Sequence, residues 1–191
     1  MEKITGFNKR TKQNLLLGAG AIYKNFNVDE DTYASATEKL LGATQGGSKF
    51  EAKPTVRAIP VDGVTGDAKG LQVIDKWDVT LTVNMLEASA EVLKTSLGAF
   101  KVDLESNEKY DVIKASDTIV DDNYIDNVTL IANKSGSDIP FIIQIFNALC
   151  TSGLTLDFKD NGNGIVAVTL KGYYGEDGKV PFAIYSPKQV A

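Results

Sequence analysis

The 191-residue chain has no histidine and a single cysteine. Without histidine there is no Ser-His-Asp or Cys-His triad, no His-ligated zinc and no imidazole general base. One cysteine forms no internal disulfide, which suits a reducing compartment. Cys150 follows the apolar run PFIIQIFNAL, so it reads as a small buried hydrophobe and not as a nucleophile. No apolar run approaches the roughly 18 residues of a membrane span. Lys9, Arg10 and Lys12 before LLLGAGAIY have the outline of a secretory leader. The apolar part is short, interrupted by glycine and without a clear cleavage site. Positive charge is also in deficit, with 20 Lys and Arg against 25 Asp and Glu and a net charge of −5. That balance disfavours a surface built to neutralise phosphates and favours solubility.

What remains is a β-rich composition. Apolar residues at 43% and charged ones at 24% are ordinary for a globular domain, and 17 glycines with many Thr, Val and Ile lean toward strands and turns. The length fits one domain with a substantial core. Residues 1–13 are polar and basic without periodicity and read as a flexible arm, leaving 14–191 as a single domain.

The stretch LQVIDKWDVTLTVNML, Leu71 to Leu86, organises the reading. Its odd positions are apolar apart from Asp75 and its even ones mostly polar, the period of a strand with one dry and one wet face. Sixteen residues at about 3.3 Å each would span on the order of 50 Å, longer than a small domain needs, so part of the strand is expected to meet another chain. The pattern slips at Ile74 and Asp75, which predicts a bulge there.

Before it, residues 14–26 read as a first strand in which Gly18 and Gly20 permit bends. Residues 27–47 read as a long excursion containing a capping box from Ser35 to Glu38, a short helical turn and a stop at Gly42. Residues 50–59 are extended, with Pro54 expected to keep them at a sheet edge or to break the strand. Pro60 to Gly63 and Gly66 to Gly70 are turn clusters, together a hairpin tip. After the long strand, Ser89 and Gly98 bracket an amphipathic helix whose Leu93 and Leu97 are expected to pack on Val79, Leu81, Val83 and Met85. Further strands are expected at 110–114, 124–133, 139–149, 154–158, 165–174 and 181–185, the fourth and fifth joined as a hairpin around KDNGNG.

Chemical motifs are few. Gly42 to Lys49, GATQGGSK, approaches the phosphate loop, but Ser and Lys stand in the wrong order and Pro54 opposes the helix that motif requires. Asp157, Asp160, Asn161 and Asn163, or Asp121, Asp122 and Asp126, offer oxygens to calcium at spacings unlike the EF-hand, and turn chemistry accounts for them. Asp103, Glu105 and Glu108 have no fixed separation that would make a glycosidase pair. No catalytic constellation or cofactor emerges.

Taken together, NLLLGAGAIYKNF, LLGATQGGSKFEAKPTVRAIPVDGVTGDAKG and the long strand with its helix resemble the major tail tube protein of long-tailed, siphovirus-like bacteriophages, particularly those infecting Gram-positive bacteria. The resemblance is densest over residues 14–98. It implies a mainly β (α+β) sandwich or barrel-like subunit with one flanking helix, long loops and arms, forming hexameric rings that stack into the conduit for DNA ejection. It also implies a virion location, assembly in the host cytoplasm, no cofactor and no membrane. The implied partners are further copies of itself, the tape measure, tail tip and tail terminator proteins, and DNA in transient passage. On that basis Lys76, Asp78, Thr80, Thr82 and Asn84 are the expected lumen-facing residues, in a largely acidic channel that repels phosphate. Ser35, Gly42, Gln45, Gly46, Gly47, Asp62, Gly63, Gly66 and Gly70 are the expected contacts between subunits or rings, on two loops. The competing readings are the tube of a contractile tail or related secretion system, and a β-sandwich carbohydrate-binding or adhesin module using Tyr23, Tyr33, Tyr173 and Tyr174.

Overall fold

The computed structural model describes residues 5–103, 109–158, 160 and 163–188. The fold is mainly β, 47% strand and 10% helix. Asn8 caps a single turn, α1 (Lys9–Gln13), by accepting from the backbone of Arg10 and Thr11. Five residues carry no readable period, so this turn lies where the sequence suggested an irregular arm. Then come β1 (Leu16–Lys24), β2 (Leu40–Gly42), β3 (Thr44–Ala58), β4 (Gln72–Met85) and α2 (Ala90–Leu97). They are followed by β5 (Phe100–Asp103), β6 (Val112–Ala115), β7 (Ile125–Lys134), β8 (Phe141–Cys150), β9 (Thr155–Asp157), β10 (Ile165–Gly172) and β11 (Phe182–Tyr185). The strands expected late in the chain all form, and β9 pairs with β10 as the expected hairpin.

Nine strands make one antiparallel sheet in the order β2-β1-β7-β8-β10-β4-β3, with β11 on β8 and β9 on β10, while β5 and β6 pair separately. Leu41 of β2 and Val83 of β4 belong to one core although their strands stand far apart in that order, so the sheet curls back on itself. A single residue, Ala43, joins its two ends. Paired glycines make the bends. Gly18 and Gly20, both at positive φ, lie in a bulge of β1, where three residues oppose only Ala132. Gly46 and Gly47 do the same in β3 opposite Asn84.

β4, between β10 and the terminal β3, has Val79, Leu81, Val83 and Met85 fully buried and the alternate residues half-exposed. The helix packs differently from expectation. Val92, Thr95 and Ser96 are its buried residues, whereas Leu93 and Leu97 are half-exposed. α2 packs chiefly against β2, β6, β8 and β10, and the residues one position before Leu93 and Leu97 point inward. Gly98 ends the helix at φ 71°, as its position suggested.

Residues 27–47 depart furthest from the sequence reading. Ser35 caps nothing; it exchanges hydrogen bonds with Thr32 in a local turn, and the 3-10 turn Thr37–Lys39 has no side-chain cap. Gly42 is a buried residue of β2, and Gln45, Gly46 and Gly47 already belong to β3. The hydroxyl-to-backbone bonds of a short turn compete with helix formation, and β2 closes the core instead.

Candidate functional site

β4 and β3 pair along their whole length, but β10 accompanies β4 only from Met85 down to Val79. Below Val79 the two strands continue alone as a ribbon. At its root Trp77 packs edge-on against Phe182, their centroids 5.4 Å apart, and its N–H donates to the Tyr174 hydroxyl at 2.7 Å. That hydroxyl stands in for the strand partner β10 no longer supplies. From Trp77 to Leu71 the ribbon reaches about 20 Å. Ile59 N–H donating to the Leu71 carbonyl closes it, and turns at Val61–Val64 and Ala68–Leu71 shape the tip, with Gly63 and Gly70 at positive φ.

The bulge expected near Ile74 and Asp75 is present. Thr55 faces Lys76 and Val56 faces Ile74, leaving Asp75 as the extra residue. Directly opposed residues share a face of an antiparallel pair. The core face therefore runs from Ala52 opposite Val79, through Pro54 opposite Trp77, to Val56 opposite Ile74. Without the bulge Asp75 would occupy that stripe. With it, Ile74 takes the dry side and Asp75 turns away to pair with Arg57 at 3.1 Å. The dry face continues past the point where the subunit has anything to cover it: Val56 is 53% and Ile74 49% exposed. Ile59, Val61 and Val64 extend the exposed apolar surface into the tip.

A second apolar surface lies on the outer side of β7, β8 and β11. Phe26, Val28, Tyr33, Ile131, Ile142 and Tyr185 line a hollow of about 300 Å³. A buried polar knot fixes its rim, in which Gln144 Nε2 donates to the Phe26 carbonyl at 2.8 Å and to Thr129 Oγ1 at 2.9 Å. Asn127 Oδ1 accepts from Phe26 N–H and from the Thr129 hydroxyl. Period-2 reading missed this role for Gln144, since a lone polar residue in PFIIQIF shows no partner.

The residues expected to face a lumen do share one surface. Thr80, Thr82 and Asn84 are half-exposed on the side of β4 opposite the core, and Thr82 meets Thr169 across the strands at 3.3 Å. This face is not acidic. Register places Lys49, Glu51 and Lys53 of β3 and Lys171 of β10 on that surface with Lys76 and Asp78. The four lysines outnumber the two carboxylates. Hydrogen bonds from Lys49 and Lys53 hold the Glu51 carboxyl below its ordinary pKa, and a hydrogen bond from Lys76, aided by Lys171, does the same for Asp78.

Of the residues expected at subunit contacts, Asp62, Gly63, Gly66 and Gly70 are exposed on the ribbon tip, and Ser35, Gln45 and Gly46 are exposed elsewhere. Gly42 is buried beside Met85 and serves the core. The structure thus leaves the hairpin as a protruding element and gives the end of residues 27–47 to β2 and the start of β3. Of the four tyrosines considered for stacking on sugars, Tyr23 is buried and donates to the Tyr33 carbonyl, and Tyr173 is half-buried. Among the described residues no three Cys, Asp or Glu converge as a metal site, and no helix is long and apolar enough to cross a membrane. Asn161, Glu105 and Glu108 lie outside the described residues. No protein-family profile matches the chain, and no curated protein matches its sequence.

Proposed function

We propose that this chain is a structural subunit that polymerises head to tail into the tail tube of a long-tailed phage, through which DNA is ejected. The observation that carries this reading is the apolar stripe Pro54, Val56 and Ile74, a continuation of the core face beyond the subunit's own core. A monomer gains nothing from exporting its dry face along a ribbon, whereas a neighbour covering it buries apolar surface. Ring closure and stacking need contacts between unlike patches. The protruding ribbon and the outer hollow supply one convex and one concave apolar surface.

Negative-stain microscopy of the purified protein over a range of concentrations tests the reading. Rings or tubes of uniform bore are expected, and a monodisperse monomer at every concentration would overturn it. Within a tube, the threonine-rich face of β3, β4 and β10 is the proposed channel wall. Its lysines are paired with Glu51 and Asp78, which moderates the excess of positive charge that passing phosphates would meet. Thr80→Lys with Thr82→Lys should then slow DNA ejection from assembled tails. If that variant instead fails to form rings, the face is a contact and not a channel.

A further inference from the structure

At Asn147 the strand β8 changes partner. Residues 142–145 pair with β11, and residues 149–150 pair with β10. Asn147 adopts φ 47°, a conformation few residues other than glycine hold, and its side chain donates to the Tyr173 carbonyl at 3.1 Å. Phe146 bonds both departing strands, donating to the Pro181 carbonyl and accepting from Tyr173 N–H. The divergence opens a cleft of about 460 Å³.

Its wall is aromatic. Tyr124 meets Tyr173 edge to face at 87°, with ring centroids 5.5 Å apart, and Tyr174 stands beside them, 41% exposed and held by its hydroxyl to Trp77 N–H. Asp121, Asp126 and Glu176 line the same cleft, and no lysine or arginine among the described residues is paired with them. Tyr173 already shows what its ring attracts, since Lys171 Nζ lies 5.7 Å from its centroid. Aromatic faces stabilise a cation through the ring quadrupole, most when water is partly excluded, and unpaired carboxylates add a direct attraction. A neutral sugar would use the rings and leave the carboxylates uncompensated.

We infer that this tyrosine-walled cleft binds an organic cation, an ammonium or guanidinium head group, with Tyr174 and Tyr173 under it and Asp126 and Glu176 beside it. The site does not depend on polymerisation and is tested on the soluble subunit. Choline and N-acetyl-arginine amide serve as probes, the first for a free ammonium compound and the second for a side chain of a protein partner. Binding is read from the amide signals of Trp77 and the Asn147 side chain in 15N-labelled protein. Saturable shifts are expected with at least one probe, the tighter probe identifying the source. Asp126→Asn with Glu176→Gln should weaken binding at least fivefold. Tyr174→Ala should abolish it, and Tyr174→Phe, which keeps the ring, should retain most of it. Equal shifts from sodium chloride at matched ionic strength, or saturation by maltose with no response to either cation, would overturn the proposal. So would binding unchanged in the charge-neutralised variant.

Discussion

Replacing Val56 and Ile74 by threonine tests whether the exported dry face is an interface. The two side chains are directly opposed across the ribbon and each is about half exposed. Full burial of such a side chain contributes about 1.5–3 kcal/mol, so a neighbour covering the remaining half gains about 1 kcal/mol from each. Threonine keeps the β-branched shape and strand preference, replacing a methyl of Val56 and the ethyl branch of Ile74 by a hydroxyl. Arg57 and Asp75 are untouched, so the bulge and its ion pair remain. The double variant should therefore melt within about 2 °C of the parent, as expected for exposed substitutions worth under about 0.5 kcal/mol. Assembly should suffer instead. A loss of about 2 kcal/mol per contact raises the critical concentration about thirtyfold, at about 1.4 kcal/mol per factor of ten. Sedimentation velocity across a dilution series, checked by negative stain, measures it. Assembly at the parental concentration would refute the interface. A melting drop of more than about 5 °C would show that the stripe is already covered within the subunit.

Three further outcomes follow from the fold. A Cβ at Gly98 would stand 2.5 Å from the Cys150 carbonyl oxygen, at φ 71°; since left-handed backbone alone costs about 1–2 kcal/mol, Gly98→Ala should lower the urea midpoint by the equivalent of at least about 2 kcal/mol, and an unchanged midpoint would refute the contact. Gln144→Leu leaves the Phe26 carbonyl without its donor and should cost about 1–3 kcal/mol, with faster amide exchange around Phe26 than in β4; uniform exchange would place the knot's role elsewhere. Glu51 and Asp78 have folded pKa values below their ordinary 4.5 and 3.8, so their stabilisation is present above those values and lost as pH falls through the lower folded ones. The melting-temperature gap between the parent and Glu51→Gln with Asp78→Asn should thus shrink toward zero below about pH 4, and a gap that widens on acidification would contradict the pairing.

The long strand was legible because its two faces differ in chemistry at every position from Trp77 to Met85, and the slip at Ile74 carried enough information to place the bulge. Pro54 marked an edge, and Asp62-Gly63 and Lys69-Gly70 marked turns, because each fixes a backbone angle by itself. β2 was hidden for the opposite reason. Three residues, Leu40 to Gly42, are too few for a period, and Ser35 to Glu38 imitate a helix start whose hydroxyl the structure spends on Thr32. Residues 35–46 read as part of a long excursion. With Leu41 in the core, their deletion would open the sheet where its two ends meet. The cleft at Asn147 was beyond reach for another reason, since Tyr124, Asn147 and Tyr173 are neighbours only because β8 exchanges β11 for β10.

Net charge was the least transferable quantity. A total of −5 says nothing of arrangement, and this fold gives one face an excess of lysine. Lysines collect on the wet face of β3, β4 and β10, where alternate residues all point one way and cross-strand partners must share a side. Asp121, Asp126 and Glu176, unpaired among the described residues, collect at the fork. The two regions adjoin at Lys171, whose ammonium lies 3.6 Å from Asp78 Oδ1 and also over the ring of Tyr173. With the basic face turned to the channel, head-to-tail propagation rests on the unmatched apolar ribbon and hollow and not on charge.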